Sequence, residues 1–502
     1  MNIDTRHICA ALLALGWQGH AVAQQVSGQS TQQAGAVLNA PVPQSGYVDL
    51  MGGLGYTDNA LLSSSRHISD GIATVGFDTD YQRTGNLSLN LLGAMDRVQY
   101  LRGTFGGSFY GHFFGSGILG QPTNFLQWQL SDSFGEAMTN PLASPTPTNL
   151  QTINDVMTGP LVNLHFGLTN RLTFFGVYSR ITYQRSPFDS QTYQGGTQFR
   201  HALPGASSVS FVASTARTNY IDGTAMQRYL GRTSTHYDLN RAFISYKAQF
   251  VRSTVLLAGG YNTIQYGGAA PRHGTPFYEF RLSRQISPFS TLYLSGNQRY
   301  TTQGGSLGSP GGQIGLQAGA SPNGDYAEPQ PFNERSVDAV WLFQRARTSV
   351  SLTGTYQEEL FNPTSVQTSA THALNHRDEG VMLTLGRQLR PTVKVQLRAT
   401  GYWDRYAHFD AQTRHEMIQL TLSKRFARTM IWFFVERRHQ SGSSGNSGLV
   451  ASSFNDDRVG VYVTYDLFGE RPMQSSLQGI PGLGGFGGMP GGAGMGGFPG
   501  AY

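Results

Sequence analysis

Residues 392–406 read TVKVQLRATGYWDRY, and the side chains in its first half alternate strictly. Val393, Val395, Leu397 and Ala399 are apolar; Lys394, Gln396, Arg398 and Thr400 between them are polar. On a strand, successive side chains point to opposite faces, so one face is oily and the other strongly polar. The same alternation recurs far away. Ile418, Leu420 and Leu422 oppose Gln419, Thr421 and Ser423. Tyr278, Phe280 and Leu282 oppose Glu279, Arg281 and Ser283, and Ala242, Ile244, Tyr246 and Ala248 oppose Arg241, Ser245, Lys247 and Gln249. A barrel filled by its own side chains has little room for so many mid-strand charges, whereas a water-filled lumen keeps each one solvated. The pattern predicts an all-β chain with lipid outside and water inside. Arg241, Lys247, Glu279, Arg281, Lys394, Gln396 and Arg398 are its expected lumen-lining residues. Tyr402, Trp403 and Tyr406 fall near the outer end of their strand, and amphipathic rings favour a membrane–water boundary.

Composition agrees. Charged residues make up 13% of the 502, about half the roughly 25% of ordinary globular chains. Aromatics reach 12% and there are 63 glycines. Mean hydropathy is −0.28, and after the N-terminal segment no stretch approaches the ~18 consecutive apolar residues of a spanning helix. The formal charge of +6 and the lack of any Lys/Arg run exclude a nucleic-acid footprint.

Arg6 and His7 precede an apolar run from Ile8 to Leu15, and Ala21-Val22-Ala23 offers a cleavage site. Residues 1–23 therefore read as a secretory signal. The only cysteine, Cys9, lies inside it, which leaves an exported chain without disulfides or thiolate metal sites. Residues 24–45 are rich in Gln, Ser, Ala and Pro and read as a flexible leader. Residues 46–468 carry the strand pattern. Residues 469–502 form a Gly-rich tail too poor in bulky side chains to build a core.

Within 46–468, short turns at 84–86, 169–171 and 204–206 alternate with long connections near 57–70, 136–157, 304–330, 361–377 and 441–455. This asymmetry is expected of an outer-membrane barrel, with short turns facing the periplasm and long loops facing outward. LSRQISPFSTLYL (282–294), LFQRARTSVSLTG (342–354), LGRQLRPTVKVQL (385–397) and LSKRFARTMIWFF (422–434) are variants of one hairpin unit. Each ends a strand on Arg or Lys, turns, and reopens on Thr or Ser, as an up-and-down meander would. A propeller or sandwich requires no such short/long alternation, and the repeat is too irregular for blades. The segmentation gives about 18–20 strands, an even number if both ends are periplasmic. RVGVYVTYDLF (458–468) resembles the terminal strand by which barrel assembly machinery recognises its clients.

Several phrases carry a family resemblance. Tyr56-Thr57-Asp58-Asn59 follows the first strand. Trp128 and Asp132 lie in FLQWQLSDSFG. TPTNLQTINDVMTGP follows with Asn149, Asn154, Thr158, Gly159 and Pro160, and the meander ends in VTYDLFG. Together these resemble the outer-membrane β-barrels found with exosortase (PEP-CTERM) and exopolysaccharide systems, over most of residues 46–468. The resemblance implies a barrel serving polysaccharide export or envelope assembly, without catalytic residues to carry over. The Gly-rich tail departs from its pattern.

Motifs for other chemistry lack context. Gly304–Gly308 fits G-x-S-x-G but lies in a Gly/Ser/Pro loop instead of a strand–turn–helix elbow. Gly482–Gly487 fits G-x-G-x-x-G within low complexity and no βαβ unit. Asp78, Asp80 and Asp96 read as acidic lumen lining, since no convergent ligands for Ca²⁺ accompany them. His112 and His165 are isolated. The expectation is a porin-like or envelope-export barrel of a Gram-negative outer membrane, with no catalytic residues, cofactor or metal. Its expected partners are membrane lipid, the assembly machinery, and an exopolysaccharide or small solute. An assembly barrel of a secretion complex, or a hydrolase with a site built across strands, are the rival readings. Oligomeric state is left open.

Overall fold

The structure is a computed structural model. It describes residues 44–467 apart from 84, 122, 141, 226–234, 268–271, 302–329, 362–374, 407–409 and 444–451. The signal segment, nearly all of the leader, the tail and both glycine motifs lie outside the described residues.

Twenty strands follow one another in chain order: β1 Gln44–Thr57, β2 Asp70–Arg83, β3 Leu87–Tyr100, β4 Ser108–Leu119, β5 Leu126–Met138, β6 Leu150–Phe166, β7 Asn170–Tyr183, β8 Ser190–Leu203, β9 Ser207–Tyr220 and β10 His236–Gln249, then β11 Ser253–Tyr266, β12 Arg272–Ser287, β13 Ser290–Thr301, β14 Phe332–Arg345, β15 Thr348–Phe361, β16 His376–Arg390, β17 Val393–Tyr406, β18 Ala411–Phe426, β19 Thr429–Ser443 and β20 Phe454–Asp466. Each pairs antiparallel with its sequence neighbours. β20 returns to β1, with Asp466 opposite Asp49 and Arg458 opposite Thr57. The sheet is thus a closed up-and-down transmembrane barrel with no free edge, the only sheet form that satisfies every backbone group in lipid.

Connections differ in typical length between the two ends. The end holding 84–86, 120–125, 167–169, 204–206, 250–252, 288–289, 346–347, 391–392 and 427–428 has only short turns. The other end holds 58–69, 101–107, 139–149, 184–189, 221–235, 267–271, 302–331, 362–375, 407–410 and 444–453. The four repeated hairpin units place their turns at 288–289, 346–347, 391–392 and 427–428, all at the short-turn end. Ala346 and Ala427 take positive φ there (47° and 38°), as two-residue hairpins that match strand twist require. The predicted 136–157 loop is shorter than its sequence suggested. β5 runs through Met138 and β6 resumes at Leu150, because Gln151, Ile153 and Asp155 continue an inward-facing alternation.

Exposure gives the facing of each strand. Leu397 (38%), Ile418 (59%) and Ile244 (57%) lie on the outer surface, with Leu50, Leu130, Leu257 and Val337 on other strands. One outward row runs Leu385–Leu397–Leu420–Val435–Val459–Tyr56 across β16–β20 and β1. Gly46 sits in the left-handed region at φ 109°, where a Cβ would come 1.8 Å from the Asp80 carbonyl oxygen, so only glycine permits this approach of β1 to β2.

Candidate functional site

The inward face is polar on nearly every strand, and all seven predicted lining residues point inward. They form two patches. Arg241 and Lys247 on β10 and Glu279 and Arg281 on β12 belong to one. Arg241 Nε donates to Asn262 Oδ1 (3.0 Å) and Nη2 to the Tyr300 carbonyl (3.1 Å), while its guanidinium lies 5.3 Å from the Phe277 ring centre. Glu279 and Arg281 are ion-paired on one strand face. They stay 22% and 24% exposed. Lys247 lies within electrostatic reach of Arg200 and Arg281, and Arg200 on β8 stands cross-strand from Arg171 on β7. Four inward cations therefore gather toward the short-turn end of β7–β12, with Glu279 as the neighbouring anion on β12. Sequence reading missed Arg171 and Arg200, although RLTFFG and TQFRHAL each show inward alternation.

Lys394, Gln396 and Arg398 on β17 form the second patch, and here the expectation of side chains bathed in water is corrected. Gln396 is buried and Arg398 is 2% exposed. Arg398 lies in reach of Glu436 on β19, whose carboxylate accepts from Gln419 Nε2 (2.7 Å) and pairs with Arg438. On β20, Arg458 pairs with Asp456, and the Thr57 hydroxyl of β1 donates to the same carboxylate (2.5 Å). Inward side chains of adjacent strands stand only about 4.7–4.9 Å apart, so long charged ones reach each other and satisfy their charge by pairing instead of by hydration. The acid–x–Arg spacing of Glu279/Arg281, Glu436/Arg438 and Asp456/Arg458 is the sequence signal for these pairs, since residues i and i+2 share a face.

Tyr402 and Tyr406 also correct their expectation. Both are buried on the inward face, and Tyr406 stacks on His376 with ring centres 5.3 Å apart. Only Trp403 points outward. His376 Nε2 lies 3.4 Å from Asp378 Oδ2 and 3.6 Å from Glu359 Oε2. Asp404 accepts from the Thr413 hydroxyl (2.6 Å) and lies 3.3 Å from His415 Nε2. Among the described residues, no group of three His, Asp or Glu is arranged to hold a metal ion. Asp78 and Asp96 are fully inward and buried. Tyr47 donates to Asp78 (3.3 Å), and the Gly111 N–H donates to Glu136 (2.9 Å).

The long-loop end is crossed by residues 139–149. Asn149 knots this connection: its Nδ2 donates to the Asn140 carbonyl (2.9 Å), and its Oδ1 accepts from the Asn140 N–H and the Thr139 hydroxyl (2.9 Å each). The knotted loop then reaches over the mouth. Leu142 packs on Tyr406 and Ala411 of β17 and β18, and its carbonyl accepts from the Ser452 N–H (2.9 Å). Ser144 Oγ donates to the Leu62 carbonyl (2.6 Å), and Arg185 donates to the Thr148 and Pro147 carbonyls (2.7 and 3.0 Å). The loop leaves between β5 and β6 and lands beyond β1–β4, β19 and β20, so it spans the opening.

An apolar exterior, a charge-paired interior and a bridged mouth define a transmembrane β-barrel whose inner wall is built for polar contact. No family model matches the chain, and no curated protein matches it. Among solved structures it is similar to the FrpB iron transporter from Neisseria meningitidis (9% identity, covering 84% of this chain and 82% of that one, TM-score 0.41). It is also similar to Pseudomonas aeruginosa OccK2 (14%, 84% and 98%, 0.35) and to the siderophore receptor PirA from Acinetobacter baumannii (9%, 85% and 81%, 0.39). The barrel assignment rests on the closure and facing of this chain itself.

Proposed function

We propose that this chain is an outer-membrane channel passing small, preferentially anionic solutes along the β7–β13 side of its lumen. The carrying observation is a difference between the two halves of the inner wall. Inward residues of β16–β20 and β1–β3 are mostly buried, whereas β7–β13 keep more of theirs in contact with solvent, among them Arg171, Arg200, Lys247, Glu279, Arg281, Ser295 and Arg299. The exposed half carries Arg171, Arg200, Lys247 and Arg281 near the short-turn end. Low-dielectric walls focus such a field and enrich counter-ions inside. The family resemblance names exopolysaccharide as a class, and an acidic segment of one is a larger solute that the same cations would attract. The bridge over the mouth by residues 139–149 supports a channel that selects by size.

The test is reconstitution into planar bilayers under a KCl gradient. The reversal potential should report a modest anion preference that shrinks as salt shortens the Debye length. Arg200→Glu with Lys247→Glu should move it toward cations without loss of folding. Conductance without that shift removes these residues from the path. Absence of conductance from folded protein rejects the channel and favours the assembly-barrel reading.

A further inference from the structure

The outer surface carries a charge pattern that neither the barrel nor a channel requires. Arg377 on β16 and Arg405 on β17 are direct cross-strand partners. Both lie on the outward face, in register with Val381 and Leu397. Like charges directly opposite on a sheet are destabilising, and their Cβ atoms stand only about 4.5–5.5 Å apart. Arg414 on β18 is the cross-strand partner of Trp403, one pleat below Arg405. Arg377 pairs with Glu379 and lies 5.2 Å from the Tyr356 ring centre. Arg414 pairs with Glu416 and lies 6.0 Å from that of Trp403. Arg405 makes neither an ion pair nor a side-chain hydrogen bond among the described residues. On its other side Arg377 faces Glu358, which pairs with Arg335 on β14, so four outward arginines stand against three carboxylates and Arg405 is the local positive excess.

Position identifies what balances it. Directly below the cluster the outward residues turn apolar: Leu383 and Leu385 on β16, Ala399 and Leu397 on β17, Leu420 and Leu422 on β18. Outward charge returns only at the short-turn end, at Arg387 and Lys424. The arginines therefore sit at the upper border of the lipid-facing band, on the long-loop side, with Trp403 and Tyr356 at the depth that interfacial rings favour. A matching ligand is anionic at one end and apolar at the other. Guanidinium forks fit phosphate in bidentate geometry. We propose that the outward rim of β16–β18 binds the phosphorylated headgroup of an outer-leaflet glycolipid through Arg377, Arg405 and Arg414.

The full-length protein folded in micelles is titrated with diphosphorylated lipid A, with the same lipid stripped of phosphate, and with inorganic phosphate. Lipid A should bind, and removing its phosphates should abolish most of the affinity. Arg405→Gln should weaken binding by about tenfold, the worth of one charge-assisted hydrogen bond. Arg272→Gln, an outward arginine on β12, should leave it unchanged. Heat-modifiable gel mobility verifies that each variant is folded. Equal binding of phosphorylated and stripped lipid overturns the proposal, as does full affinity in folded Arg405→Gln. Inorganic phosphate that competes at the same concentration as lipid A overturns the lipid assignment.

Discussion

Leu397 sits in the outward row between Leu385 and Leu420, with apolar residues above and below it on its own strand. An arginine placed there must carry its charge into the apolar band, too far from either polar border to reach it without distorting the sheet. The expected cost of Leu397→Arg is about 2–4 kcal/mol, the value for arginine near a bilayer midplane. Leu389 provides the control. It is also outward and 52% exposed, but it neighbours Arg387 and Arg390 beside the short turn at 391–392. Leu389→Arg should cost about 0–1 kcal/mol, as at an interface. Both variants are compared with the parent by reversible urea unfolding in vesicles, followed by tryptophan fluorescence, with heat-modifiable mobility as a second readout. Equal unfolding midpoints for the two variants would refute the facing and depth assigned to β16 and β17. So would greater damage from Leu389→Arg.

The buried pairs predict a different signature. Glu436→Gln removes the carboxylate that pairs with Arg438 and lies in reach of Arg398 and should destabilise by about 3–5 kcal/mol, while Arg438→Met, which leaves Glu436 the Arg398 charge and the Gln419 hydrogen bond, should cost less; the unfolding midpoints of the two variants measure this. Asn149→Ala removes the side chain that knots residues 139–149, so single-channel conductance should rise and protease should cut between 140 and 148 while the barrel band persists on gels.

Much of the architecture was legible because membrane barrels write it locally. Alternation in 392–406 marked both faces of β17, and hairpin units such as LGRQLRPTVKVQL placed four turns at one end. What failed was whatever depends on residues distant in sequence. Arg398 was legible as inward, but not as buried, because its partner Glu436 and the hydrogen-bonding Gln419 lie on later strands. Thr57 and Asp456 meet across 399 residues, a contact created only by closure of β20 on β1. Tyr402 and Tyr406 carry the composition of an interfacial girdle, yet their even numbering on β17 sends them inward. LASPTPTN looked like a free outer loop, and nothing local in it announces that Leu142 packs with Tyr406 and Ala411. The outward Arg377–Arg405 pair was likewise hidden, since alternation assigns a face but not a cross-strand register.

The central claim is that solute moves along the β7–β13 side of the lumen and not along the packed β16–β20 side. A Cys9→Ser background has no cysteine, so single cysteines can be placed inward at Ser295 on β13 and at Thr421 on β18. Single-channel current is recorded while a charged thiol reagent is added. The account predicts that current through Ser295→Cys falls in steps as each channel reacts, while current through Thr421→Cys is unchanged. Block at Thr421→Cys with no effect at Ser295→Cys would contradict it.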